Sequence, residues 1–274
     1  MDQRLQQRVQ RYGWDRAASF YEQSWSRQLA PAQDLLLAMA ALQPGERVLD
    51  IACGTGLVTF RAAEQVGDFG AVVGTDISDA MTEACRAAAL ERGLRQVRFE
   101  RMEAEHLALP DASFDVVLCA LGMMYVTDFA GSIREMMRVT KPGGRAVSAV
   151  WGKRDRCGWA EIFPIVERRV QSDVCPLFFQ LGTGDMQKLL FANAGFADVE
   201  SKRITTVLEY ESAEEACLAA FAGGPVAMAY SRFDEPTRTG AYAEYLQSIA
   251  AFKRGDGYAL PGEFVVTRGV RPTA

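Results

Sequence analysis

From Arg47 to Trp151 short apolar runs alternate with stretches of helical pattern, and this rhythm restricts the chain to few architectures. Arg47–Ala52 (RVLDIA), Ala71–Asp76, Val97–Arg101, Phe114–Ala120 and Arg145–Trp151 read as strands. Leu57–Val66, Asp79–Arg92 and Phe129–Val139 read as helices. The second has Ser78 or Asp79 as its N-cap, and the third is stopped by Lys141-Pro-Gly-Gly. Alternation of this kind predicts an α/β fold, a Rossmann-like doubly wound sheet that is mostly parallel. Residues 1–43 read as helical up to Pro44-Gly45. After Trp151 the pattern loosens: 152–182 is loop and helix, 183–194 a helix closed by Gly195, and 199–210 a sixth strand. Residues 213–222 and 239–252 follow as helices and 263–269 as a last strand.

Composition narrows the function classes. With 49% hydrophobic and 24% charged residues the chain can build a full core, and a net charge of −5 argues against a nucleic-acid surface. The longest apolar run, Leu35–Leu42, is shorter than the ~20 residues of a membrane span. Met1-Asp-Gln-Arg begins no secretory signal, so the expected location is cytoplasmic. Cysteines at 53, 85, 119, 157, 175 and 217 form no C-x-x-C pair, and a single histidine, His106, leaves no zinc-type ligand set. Twenty-five arginines against five lysines fit a GC-rich, bacterial genome.

The strongest local signal is Val48-Leu-Asp-Ile-Ala-Cys-Gly-Thr-Gly56, where a strand ends at an acid, turns on small residues and opens a helix. Such a turn lies at the carboxyl ends of the strands, where open α/β sheets bind ligands. No lysine follows the glycines, so it is not a P-loop, and Thr59 stands where a dinucleotide fingerprint has its third glycine. Asp50 would repel a pyrophosphate but suits an ammonium, while a nearby helix N-terminus suits a carboxylate. Asp76 lies twenty residues beyond Gly56, at the offset where an acid takes ribose hydroxyls. An amino-acid zwitterion joined to a ribose describes S-adenosyl-L-methionine. The plainer readings are a ligand-free tight turn at 52–56 and a helix cap at Asp76.

On these residues the chain resembles the class I S-adenosylmethionine-dependent methyltransferases, in the small-molecule branch that includes the ubiquinone/menaquinone C-methyltransferases. Val48–Gly56 is similar to the family's first motif and Gly74-Thr-Asp-Ile-Ser-Asp-Ala-Met81 to its second. Met102–Asp115 resembles the segment written G-D-A-E-x-L-P-F-x-D-x-S-F-D, and Arg138–Gly144 the turn before the fifth strand. The resemblance covers about residues 46–151, with a weaker echo at Leu189–Val199. It implies an antiparallel last strand and cofactor contacts from Tyr21, Asp50, Ala52, Cys53, Gly54, Gly56, Asp76, Ile77, Met81, Glu103, Ala104, Glu105 and Cys119. Glu103 stands where the family commonly has the Asp beside the adenine amino group.

The acceptor is less legible. There is no N-P-P-[YF] motif of the kind that serves nitrogen methylation, and Cys119-Ala-Leu-Gly-Met-Met-Tyr125 is apolar and aromatic. That favours O- or C-methylation of a small, fairly hydrophobic molecule, driven by proximity and orientation and with no assigned general base. Trp14, Tyr21 and Trp25 share a helical face, so residues 1–45 are expected to form a helical lid on a methyltransferase domain at 46–274. Trp25, Tyr125 and Trp151 are the candidate substrate contacts, with insertions at 152–182 and 212–254 completing the pocket. The alternatives are a protein of the same fold that binds the cofactor for cyclisation or decarboxylation, and a nicotinamide-dependent oxidoreductase.

Overall fold

A computed structural model describes residues 3–170 and 177–273. Cys175 and the rest of 171–176, within the expected 152–182 insertion, lie outside the described residues. The sheet is built from β1 (Arg47–Ile51), β2 (Ala71–Asp76), β3 (Val97–Arg101), β4 (Phe114–Ala120), β5 (Thr140–Trp151), β6 (Ala197–Tyr210), β7 (Lys253–Arg254) and β8 (Gly257–Val270). Their order is β3-β2-β1-β4-β5-β8-β6, with β7 paired to β8. β1 to β5 are mutually parallel, and β8 runs antiparallel to both β5 and β6. The last strand is therefore antiparallel, wedged between two strands that precede it in sequence.

The helices are α1 (Gln3–Ala40), α2 (Thr59–Val66), α3 (Asp79–Glu91), α4 (Phe129–Val139), α5 (Ile162–Val170), α6 (Met186–Asn193), α7 (Ala213–Phe221), α8 (Ala227–Tyr230) and α9 (Glu235–Ser248). Ser78, rather than Asp79, caps α3, its hydroxyl accepting the Met81 N–H at 3.1 Å. β1 and β4 bury nearly every side chain, as strands covered by helices on both faces must.

Several boundaries differ from the sequence pattern, among them α9, which lies four residues earlier than 239–252, and the starts of β5 and β8. β5 begins at Thr140 rather than Arg145, because Lys141–Gly144 bulges out of the ladder opposite Asp115 and the pairing resumes at Val116 with Arg145. The Lys141 ammonium reaches the Asp115 carboxylate at 2.7 Å across that bulge. β8 begins at Gly257 rather than Glu263; Pro261 is accommodated because β5 pairing stops at Phe264 and leaves that stretch bonded to β6.

α1 has two roles along its length. Leu36 and Ala40 are fully buried in the same core as the strands. Arg145 fixes that end, donating to the carbonyls of Ala40 and Ala41 and pairing bidentately with Glu46. The earlier half crosses the carboxyl ends of the strands and is latched to the start of α3. There Asp15 accepts from the Ser78 hydroxyl at 2.6 Å and Arg11 pairs with Asp79.

Candidate active site

At the end of β1 the backbone enters the left-handed region at Ala52, Gly54 and Gly56, with φ of 55°, 55° and 89°. Leu121, just past β4, does the same at 62°. Non-glycine residues in this region are uncommon and cluster where a backbone is forced around a site. The two turns touch, since a Cβ on Gly122 would sit 2.3 Å from that of Ala52. Gly54 differs from Gly56: a side chain at 54 would meet only Tyr21, at 3.6 Å, whereas one at 56 would strike Phe60 at 2.5 Å. Gly54 thus keeps space open beside the turn, and Gly56 serves internal packing.

Two acids sit under this turn. Asp50 is 1% exposed, and its Oδ2 accepts the Thr59 hydroxyl at 2.6 Å while its Oδ1 has no partner among the described residues. Burial pushes the Asp50 carboxyl up to about 7, against the Thr59 hydrogen bond and with a further push from Asp76. Asp76 accepts the N–H of Gly54 on Oδ2 and that of Ser78 on Oδ1, both at 2.9 Å. Burial raises it to about 6, with these backbone donors opposing.

Against this turn lies a cleft of about 710 Å³. Of the residues singled out from the sequence, Tyr21, Ala52, Gly54, Asp76, Ile77, Met81, Ala104, Glu105 and Tyr125 line it. Glu105 is anchored by accepting both the N–H and the hydroxyl of Thr127, at 2.9 and 3.0 Å. Other expected contacts fall outside the wall. Glu103 pairs its backbone with His106 across a tight turn and does not line the cleft, whereas Met102, Ala104 and Glu105 do. Cys53 is buried beside Cys85, which together with burial pushes its thiol well up. Cys119 is fully buried in β4 with its thiol raised to about 12, and Asp50 and Gly56 are not among the residues that line the cleft. His106 is exposed and lines no part of the cleft.

A second, smaller pocket of about 290 Å³ shares Trp14, Tyr21, Leu121 and Tyr125 with the cleft. Trp25 and Trp151 line this inner pocket and not the outer cleft, together with Trp159, Gly224 and Pro225. Trp25, Trp151 and Trp159 form an edge-packed triangle with ring centroids 5.0 to 6.0 Å apart. The sequence reading missed Gln7 and Gln10, polar wall residues from the first turns of α1, and Trp159. The helical repeat from Gln7 and Gln10 to Trp14 and Tyr21 could have found the first two. Nothing local marks Trp159.

An acid beneath a glycine turn on β1, a second acid closing β2 and a cleft across both define the cofactor side of a methyltransferase fold. A family model described as a methyltransferase domain matches residues 48–144. The demethylmenaquinone methyltransferase of Geobacillus kaustophilus is 31% identical over 229 residues, covering 75% of this chain and 95% of that protein. The ubiquinone/menaquinone biosynthesis C-methyltransferase UbiE of Ectopseudomonas mendocina is 42% identical over 118 residues, covering 43% of this chain and 46% of that one. The chain thus spans about half the length of such UbiE relatives. The YcgJ protein of Bacillus subtilis has the same fold at a TM-score of 0.61 and 19% identity, over 89% of this chain and all of that one.

The chain belongs to the class I S-adenosylmethionine-dependent methyltransferase family. Within that family its similarity is to the ubiquinone/menaquinone C-methyltransferase branch.

Proposed function

We propose that this protein transfers a methyl group from S-adenosylmethionine to carbon or oxygen of a small, flat, oxygenated acceptor of the quinol or phenol type. The observation that carries the reading is the pair of acids at the turn that Gly54 keeps open: Asp76 lines the cleft, and the buried Oδ1 of Asp50 has no partner among the described residues. A buried acceptor of this kind calls for a donor, and a cationic one best offsets its desolvation. The ammonium of a methionine moiety supplies that donor. Asp76 keeps lone pairs beyond those taken by Gly54 and Ser78 for the ribose hydroxyls. Ile77 and Met81 give apolar walls for the adenine, with Met102 and Ala104 opposite.

When bound, the sulfonium supplies an electrophilic methyl carbon: the acceptor's electron pair forms the new bond, and the pair of the broken carbon–sulfur bond stays on sulfur. The residues around it bind, orient and exclude water. Among the described residues no histidine, lysine or arginine lines either cavity; in this reading the acceptor hydroxyl loses its proton to solvent before transfer, carbon methylation releases the ring C–H proton after it, and the rate comes from placement. Trp14, Tyr21 and Tyr125 stand between cleft and inner pocket, with Trp14 edge-on to Tyr21 at 5.7 Å and to Tyr125 at 4.9 Å. The first half of α1 is the lid in this reading. The similarity to quinone C-methyltransferases supports the acceptor class.

The test is S-adenosylhomocysteine formation when the protein is mixed with S-adenosylmethionine and a panel of hydroxynaphthalenes and quinols. Methylated product from that panel supports the reading. Tight cofactor binding without product across the panel favours cyclisation or decarboxylation on the same fold. Binding of NADH in place of S-adenosylmethionine favours an oxidoreductase.

A further inference from the structure

The wall of the inner pocket contains two donors that nothing in the described chain satisfies. Nε1 of Trp25 and Nε1 of Trp159 are both buried without a hydrogen-bond partner, in rings that are 4% and 1% exposed. An indole nitrogen can only donate, and buried indoles ordinarily find an acceptor. Both indoles line the inner pocket with their centroids 5.8 Å apart, so the two orphaned donors belong to one packed cluster at its wall. The pocket between them is flat-walled: Trp151 packs against both indoles, and Leu29, Gly224 and Pro225 close the remainder. No charged side chain among the described residues lines it.

We propose that the inner pocket binds a flat ring bearing an oxygen substituent, and that the indole N–H groups of Trp25 and Trp159 donate to that oxygen. Donors without acceptors or acids select a carbonyl, phenolate or enolate oxygen and reject an ammonium, which would bring further donors to a wall of donors. They also stabilise negative charge on the oxygen, favouring the ionised acceptor in a pocket that no carboxylate or imidazole lines among the described residues. The role deepens the methyltransferase reading and rests on it only for what happens next to the ring, because binding is measurable without turnover.

The experiment uses the full chain labelled with ¹⁵N at its four indoles and saturated with S-adenosylhomocysteine. The probe is 1-naphthol, and naphthalene, with the same rings and no oxygen, is the control. The Nε1–H resonances of Trp25 and Trp159, assigned with Trp25→Phe and Trp159→Phe, move downfield on adding 1-naphthol and stay in place with naphthalene. Calorimetry then gives 1-naphthol a tenfold or greater advantage over naphthalene, and each Phe variant, which keeps an aromatic ring, reduces it by roughly tenfold. No binding of 1-naphthol, binding with both resonances unmoved, or an advantage intact in both variants each overturns the proposal. Binding of 1-naphthol with the expected shifts, in a protein that takes up no S-adenosylhomocysteine, overturns the methyltransferase reading and leaves the pocket assignment standing.

Discussion

Asp76 Oδ2 lies 2.9 Å from the backbone nitrogen of Gly54, so the acid that closes β2 holds the turn that follows β1. Its other oxygen holds Ser78, the cap of α3. One carboxylate thus ties three elements at the floor of the cleft, and its substitution affects both architecture and ligand.

Asp76→Ala leaves two buried N–H groups unpaired, a cost of about 1–3 kcal/mol for each. We expect S-adenosylhomocysteine to bind roughly 10- to 100-fold more weakly, with a parallel loss in urea stability. Asp76→Asn, which keeps a carbonyl oxygen, loses less of both. Calorimetry on folded Asp76→Ala with unchanged affinity removes this residue from the ligand site.

The two glycines of the turn separate binding from folding. Gly54→Val places a branched side chain in the left-handed region at a cost of about 1–2 kcal/mol and fills the open space, so cofactor binding is lost while the fold persists. Gly56→Ala drives a methyl into Phe60 and lowers the melting temperature instead. Circular dichroism beside calorimetry distinguishes the two, and normal cofactor affinity in Gly54→Val places the ligand elsewhere.

The pH dependence follows from Asp50 and Asp76, held up at about 7 and about 6 by burial. Both lie above the ~3.9 of an unfolded aspartate, so between those values the native state binds more protons than the unfolded one. Their contribution to stability is fully present below pH ~4 and is lost as pH rises through ~6–7 in the ligand-free protein. A bound ammonium favours the ionised carboxylates, so cofactor affinity rises over the same window with release of protons. Asp50→Asn should flatten both trends. Melting curves and calorimetry in two buffers of different ionisation enthalpy, at pH values around 5 and 7.5, measure this.

His106→Ala should lower kcat by less than about tenfold, because the imidazole is exposed and outside both cavities. A fall of ~10³ with cofactor affinity intact would assign it acid–base work and overturn the orientation-driven mechanism.

Arg145→Met removes the bidentate pair with Glu46 and the donors to Ala40 and Ala41 at the end of α1. We expect a loss of about 2 kcal/mol or more, read as a drop in melting temperature of several degrees. An unchanged melting temperature would mean that α1 is held by its apolar face alone.

Much of the sheet was legible because β1 to β4 are short, apolar and bounded by turn residues, and three of them begin and end where the pattern puts them. The starts of β5 and β8 were not, since a bulge at Lys141–Gly144 and a one-sided ladder at Pro261 both read locally as breaks. The cleft floor was visible in the spacing of Asp50, Gly54 and Asp76. Glu103 does not line the cleft because the chain turns between it and His106, and its motif position does not reveal that turn. The inner pocket was only half visible: Trp25 and Trp151 stood out, while Trp159 joins them through tertiary packing of a segment with no motif.

Trp14, Tyr21, Leu121 and Tyr125 belong to the walls of both cavities. Whatever fills one therefore presses on surfaces that the other occupant needs, and the two affinities become a single quantity approached from opposite sides. If the first occupant fixes these rings, the second binds to a wall already ordered, and the gain must be equal whichever arrives first. Substituting any of the four alters this coupling along with both affinities, so kinetic constants measured at one fixed concentration of either ligand will mix effects that belong to the other.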